Sequence, residues 1–297
     1  MRLSPDQETA KSKADRLLAI SFDLMVRQLR NAICNFPDKR TGDNTQYRLE
    51  DIALSAFSIF FTQSPSFLSF QRSMQISKGV NNAQSLFGVK KIPSDNHIRD
   101  ILDAVAPELV FPVFHFIAEK ENAAGHLDAL RSYRNNLLCA LDATQYFSSN
   151  SIHCDNCSTK EHKNGSITYS HTAITPVFVK PGYNKVFTLP PEFITPQDGH
   201  EKQDCENAAA KRWFKQFAPL YKTLGITVLG DDLYCKQPLC ELILLHELDF
   251  ILNCKPTSHK TLSQWVEELD GMQAVESVVE LSDRYLSLCQ SGPLARW

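Results

Sequence analysis

Two apolar runs in this chain end on an acid. Leu137-Leu138-Cys139-Ala140-Leu141 leads into Asp142, and Ile226-Thr227-Val228-Leu229-Gly230 leads into Asp231. Each run reads as a buried β-strand, and in layered α/β sheets functional side chains collect where strands finish. Neighbouring strands lie about 5 Å apart, so if these two pair, their carboxylates reach one point in space. Two anionic groups that close repel, and one takes up a proton unless a divalent cation lies between them. Hard oxygen donors suit Mg²⁺ or Mn²⁺. Paired ions about 4 Å apart bracket a phosphodiester, one activating the attacking hydroxyl and the other steadying the leaving oxygen. An acid after an apolar strand equally suits a turn or a helix cap, which is the reading for Asp232. Thr144 and Tyr146, beside Asp142, either contact phosphate or continue the strand.

A second group of residues carries metal chemistry of a softer kind. Cys154 and Cys157 form a Cys-x-x-Cys pair, half of a structural zinc site, with His153, His162, His171 and Cys205 as candidates to complete it. The alternative is a pair of reduced thiols in a turn. Cations form a third group. Lys160, Lys163, Lys180, Lys185, Lys202, Lys211, Arg212 and Lys215 surround the expected strands, and Lys90 and Lys91 precede a helix start that carries Asn96, His97 and Arg99. Both sets suit phosphate contact, the second through a helix N-terminus against a DNA backbone or in a groove. A solvated surface and an ordinary bundle helix are the plainer readings.

The elements that must position these residues change character along the chain. Up to about residue 130 the apolar positions recur at helical spacing. Leu17, Leu18, Phe22, Met25, Val26 and Leu29 mark a helix within residues 1–30, and residues 49–74 read as helix broken at Ser64-Pro65. A short helix ends at the Gly/Asn turn of 79–82, and Pro93-Ser94-Asp95 starts another, with Ser94 as cap and Ile98, Ile101, Leu102 and Val105 as its buried stripe. Residues 107–130 supply one more. After that, 137–147, 167–182 and 185–194 have the β-branched and aromatic content of strands, with a hairpin turn at Pro181 to Asn184. Residues 200–224 read as a helix with Cys205, Ala209, Trp213 and Phe217 on its buried face, 226–234 as a strand, 236–249 as a helix, "FILNCKP" as a strand and 260–290 as helical. The result is an α/β fold, a mixed sheet flanked by helices and preceded by an all-helical domain.

Composition narrows the class without choosing the activity. The chain has 297 residues, 43% hydrophobic and 22% charged, ordinary for a globular protein. The start has no apolar core after its charges and no run is long enough to span a membrane, which predicts a cytoplasmic protein. Net charge is −3, which argues against a protein that coats nucleic acid but leaves room for charge segregated by face. The nine cysteines are spread out, and Cys34, Cys139, Cys240 and Cys254 read as buried reduced thiols rather than a disulfide framework. Gly-rich phosphate loops and nucleophile elbows are absent, so nucleotide kinases and α/β-hydrolases are poor candidates.

The strings "LDATQYFSS", "YSHTAITPVFVKPG", "LPPEFITPQDGHEKQDCENAAAKRWF" and "TVLGDDLYCKQP" together resemble the IS4-like DDE transposases of bacterial insertion sequences. The resemblance extends to "SPSFLSFQ", "IPSDNHIRDILD" and "FILNCKPTSHKTLSQW", from about residue 60 to about residue 265. It implies an RNase H-like catalytic domain over 131–297, a DNA-binding helical domain over 1–130, and Mg²⁺ or Mn²⁺ chemistry. It also implies double-stranded DNA, insertion-sequence ends and target, as substrate, a dimer on DNA, and a place at the nucleoid. Asp142 matches the first catalytic acid, with Ala143 where many members have Gly. Asp231, Leu233 and Tyr234 match the strand-end Asp-x-x-Tyr of the second, which selects Asp231 over Asp232. Tyr146 and Tyr234 follow as residues behind the metal ligands, and Lys202 as a phosphate contact. The family's third ligand, a Glu in a Tyr-x2-Arg-x3-Glu-x6-Lys pattern, has no match; the last Glu, Glu280, sits in what reads as a solvated helix face. The expectation is a C-terminally truncated or naturally decayed transposase. Its alternatives are a DNA-binding remnant or inhibitor that does not cut, and a metal-dependent nuclease without strand transfer.

Overall fold

The computed structural model describes residues 21–41, 45–196 and 202–271 and the strand segments 276–279 and 286–289. From Phe22 to Leu130 every element is helical: α1 Phe22–Ile33, α2 Leu49–Phe61, α3 Phe67–Gln75, α4 Ser77–Phe87, α5 Asp95–Leu102 and α6 Phe111–Ala123, with short 3-10 turns at Pro107–Leu109 and His126–Leu130. Local chemistry sets the ends. Ser21, Ser66 and Ser94 each accept a backbone N–H from the first turn of the helix they precede, and Gly88 closes α4 in the left-handed conformation at φ +62°. The chain therefore stays helical through Gly79 and Asn81-Asn82, where a turn was expected, and stops at Gly88 instead. Residues 1–20, where the first expected helix begins, lie outside the described residues.

The strands are β1 Leu137–Ala140, β2 Ala143–Ser149, β3 Ser158–Glu161, β4 Ile167–Ile174, β5 Val177–Val179, β6 Phe187–Thr188, β7 Glu192–Ile194, β8 Ile226–Gly230 and β9 Asp249–Leu252. Helices α7 Lys202–Tyr221, α8 Gln237–Leu245 and α9 Lys260–Gly271 alternate with the last of them. Hydrogen bonding orders one sheet as β6-β5-β1-β8-β9, and a second as β2-β4-β3 with β7 also on β4. The first sheet is mixed, antiparallel between β5 and β6 and parallel between β8 and β9.

Several expected elements divide. The stretch 137–147 is two strands of different sheets, broken at Leu141-Asp142, and 167–182 and 185–194 divide in the same way. Composition alone cannot show such breaks, because both sides of each have strand character. The single expected sheet is thus two, and β3, which is mostly polar, was not foreseen. Residues 260–290 are not one helix: after α9, β10 Glu276–Val279 pairs antiparallel with β11 Leu286–Cys289. Val278 and Val279 favour extended backbone, and the partner strand supplies the hydrogen bonds that a helix would otherwise make. Glu280 lies outside the described residues.

The chain forms two compact units. One comprises Met1–Cys139, Thr175–Glu192 and Thr223–Ile226; the other comprises Ala140–Ile174, Phe193–Lys222 and Thr227–Trp297. The first has a core of Val26, Ile33, Leu54, Ile59, Phe70, Phe87 and Val89. In the second, α7 buries Ala209, Ala210, Trp213, Phe214, Phe217, Ala218 and Tyr221. That face is wider than the four-residue stripe read from the sequence, and Cys205 lies at its half-buried margin. Among the described residues, no single helix is long and apolar enough to cross a membrane.

Candidate functional site

Asp142 and Asp231 lie at the ends of neighbouring strands. The Leu137 N–H donates to Gly225 O at 2.8 Å and the Leu141 N–H to Leu229 O at 2.9 Å. Both bonds advance by the same number of residues, so β1 and β8 run parallel and finish together. Leu141 directly precedes Asp142, and Leu229 stands two residues before Asp231. Both acids are exposed, and each is oriented by its own backbone. Asp142 Oδ1 accepts the Ala143 N–H and Asp231 Oδ1 the Leu233 N–H, both at 2.9 Å.

Tyr234 lies behind them, 1% exposed. Burial first, then the negative charges of Glu206, Asp142 and Asp231, keeps its phenol protonated far above the ordinary range. One phenol thus senses three carboxylates. Glu206, on α7, is itself 1% exposed and was not singled out from the sequence. Its only sequence signal was an acid on the apolar side of a helix, four residues before Ala210. Its neighbour Asn207 donates to Leu233 O at 2.9 Å, tying α7 to the turn after β8. The three carboxylates do not close to within 4.8 Å of one another, so they do not form a preassembled three-acid cage.

Adjacent Asp232 faces elsewhere. Its Oδ1 accepts the Lys255 N–H at 2.7 Å and lies 3.2 Å from His259 Nε2. Its carboxyl sits below the ordinary value, held by hydrogen bonds from Ser258 and Lys255. Of the two successive acids, one points to the Tyr234 group and the other braces the turn after β9. Gly230 makes this turn fit. A Cβ there would meet Leu252 Cδ2 at 2.9 Å and Tyr234 Cβ at 3.1 Å.

The Cys-x-x-Cys pair finds its partner across the second sheet. Cys154 Sγ and Cys157 Sγ each lie 3.3 Å from His171 Nε2 and 3.9 Å from one another. Of the residues proposed to complete the pair, His171 does so. His153 stacks on Tyr169, and His162 Nε2 pairs with Thr168 Oγ1 at 2.8 Å. The β2–β4 register slips between Gln145 and Phe147. This bulge turns Tyr146 onto the His171 ring, 5.8 Å away and nearly parallel. Tyr146 therefore belongs to the thiol–imidazole cluster, whose sulfurs add to burial in raising its phenol.

The cations differ in their surroundings. Lys90, Lys91, Asn96 and Arg99 are exposed around the start of α5. Arg99 also rests over the Phe67 ring at 5.7 Å. A concave pocket at the same helix start is lined by Lys39, Arg40, Tyr47, Ser94 and His97. Lys211 is half-buried. The Arg212 guanidinium donates to Phe193 O at 2.8 Å, and Lys180 Nζ to Ala129 O at 2.9 Å. The Lys202 side chain lies outside the described residues. Of the thiols expected to be buried, Cys139 is buried, but Cys34 is exposed just past the end of α1, and Cys240 and Cys254 are half-buried.

No known protein family and no curated protein matches the chain.

Proposed function

We propose that this protein acts on DNA by divalent-metal phosphoryl transfer, as the likeness to IS4-like DDE transposases implies, with Asp142 and Asp231 as the ion-holding acids. One observation carries this reading: two acids 89 residues apart in sequence end adjacent parallel strands, and their charges fall on the same buried phenol. The strand order β6-β5-β1-β8-β9, with the first strand central and acids at the tips of the two middle strands, supports an RNase H-like core.

The donor set fits a hard cation. Both groups are carboxylates, both are exposed, and each is fixed by a backbone N–H. A bound Mg²⁺ or Mn²⁺ would supply charge neutralisation and an activated water or 3′-hydroxyl for in-line displacement at phosphorus. The chain's own residues provide the rest. Ala143 and Leu233 orient the acids, Tyr234 fills the space behind them as a neutral phenol, and Asp232 braces the turn. Lys90, Lys91, Asn96 and Arg99 at the start of α5, with Lys202 and Lys211, are the proposed phosphate contacts. The Cys154, Cys157 and His171 cluster is the proposed structural zinc site, with one exposed, one buried and one half-buried soft donor.

A second reading is DNA binding without cutting. What favours it is the spread of the three carboxylates, since Glu206 does not close on Asp142 and Asp231 as a third ligand of one ion would. The test uses linear DNA carrying the sequences that flank this protein's own coding region, with Mn²⁺ or Mg²⁺. Metal-dependent cleavage that is lost in Asp142→Asn and Asp231→Asn but kept in Asp232→Asn supports the first reading. Salt-sensitive binding with no cleavage supports the second, and neither binding nor cleavage overturns both.

A further inference from the structure

Cys235, Cys254 and His259 come from three places in the sequence and meet at one point. Cys235 lies in the turn after β8, Cys254 in the turn after β9, and His259 immediately before α9. One ligating atom from each lies within 4.8 Å of the other two, and the Cys235 and Cys254 sulfurs are 2.7 Å apart. All three residues are half-buried. Cys240, on α8, is close enough for its charge to act on Cys235 and to sense that of Cys254. The sequence therefore offers two short pairs, Cys235-x4-Cys240 and Cys254-x4-His259, each within or beside a tight turn.

We propose that Cys235, Cys254 and His259, with the fourth position open to Cys240 or water, form a zinc site that clamps the turns after β8 and β9. The donor chemistry selects the ion. Thiolates with an imidazole suit Zn²⁺, which takes four such ligands tetrahedrally at about 2.0–2.3 Å, whereas Mg²⁺ and Ca²⁺ take oxygen. Ligands at those bond lengths stand roughly 3–4 Å from one another, and the three ligating atoms here already gather within 4.8 Å. The surroundings of the imidazole agree with this. His259 Nε2 lies 3.2 Å from Asp232 Oδ1, and a carboxylate beside a ligating imidazole fixes the ring's tautomer and orientation.

The site's role follows from its place. Asp232 bonds to Lys255 and flanks His259, and Asp231 is its direct neighbour. An ion joining Cys235 to Cys254 and His259 would fix both turns at once, and with them the tip of β8. The zinc is thus a structural clamp for the strand end that carries Asp231, distinct from the Cys154 cluster and from any ion held by the acids.

The experiment measures bound zinc in the full-length protein, purified anaerobically and dialysed. Cys254→Ser and His259→Gln should each lose one equivalent per chain relative to the unsubstituted protein, while Cys157→Ser loses a different one, so that Cys157→Ser/Cys254→Ser loses two. With cobalt in place of zinc, Cys254→Ser should weaken the thiolate-to-cobalt absorption. A measurement on the unsubstituted protein keeps the test valid where a variant does not fold: zinc should protect Cys235 and Cys254 from alkylation, and chelation should expose them. Alkylation of both at rates indifferent to zinc would overturn the site. So would unchanged zinc content in folded Cys254→Ser, or recovery of Cys235 and Cys254 joined as a disulfide from the anaerobic preparation.

Discussion

The acid-bearing strand tips and the two thiol–imidazole clusters solve the problem of holding charged groups in opposite ways. Asp142 and Asp231 are exposed, anchored one oxygen at a time to their own backbone, and not closed with Glu206 into a cage. The clusters at His171 and His259 bring their donors within one ion's reach already, and all but the exposed Cys154 are half-buried or buried. Hard carboxylates in contact would repel each other, so they are left open to water and substrate until a cation arrives. Neutral thiols and imidazoles carry no such repulsion and can pack together beforehand. Open acids suit turnover, and closed soft donors suit structure.

Ways to break this comparison run from large effects to small. Asp142→Asn or Asp231→Asn should lower Mn²⁺-dependent DNA cleavage roughly 1,000-fold, the scale expected when a charge-stabilising group is lost. The urea midpoint should barely move, since both side chains are exposed. A large loss of stability would mean that the tips are structural after all. Gly230→Ala drives a Cβ against Leu252 and Tyr234 and should cost about 1–3 kcal/mol in urea unfolding, as overpacking does. An unchanged midpoint would show that the turn is looser than a rigid site requires.

Cys139, beneath the Asp142 tip, is fully buried, and burial pushes its thiol up to about 12 from an ordinary value near 9. The fold favours the neutral form. That contribution is intact below the unfolded thiol's pKa near 9 and is lost as pH rises toward about 12, at roughly 1.4 kcal/mol per pH unit. Urea midpoints measured between about pH 8 and 11 should fall less steeply in Cys139→Ala than in the unsubstituted protein. The smallest effect belongs to Lys90→Ala and Lys91→Ala. Each should leave folding untouched and reduce the salt slope of DNA binding by about one. Equal slopes would remove the start of α5 from the DNA contact.

Much of the frame was legible. Apolar spacing located α1, α2, α3, α5 and α6, with Ser94 marking the start of α5, while α4 runs through the turn expected at 79–82. The apolar runs ending at Asp142 and Asp231 marked the two central strands. The Cys154–Cys157 pair and His171 were all visible as metal-type residues. Local pattern could not show that the chain changes sheets at Leu141-Asp142, since a strand looks the same whichever neighbour it pairs with. It could not divide 260–290 into α9 and the β10–β11 pair. Cys235, Cys254 and His259 read as scattered because their meeting depends on where two turns and a helix start are brought.

The amino-acid order by itself determined which residue types exist to bind a hard cation, a soft one or phosphate, and which segments prefer helix or extended backbone, because those preferences are local. Only the tertiary structure decided which acids share a neighbourhood, that Glu206 and Tyr234 stand behind them, that Asp231 and Asp232 face different partners, and that Tyr146 serves the His171 cluster. Those facts rest on strand order, register and burial, and each is fixed by hydrogen bonds and packing between residues far apart along the chain.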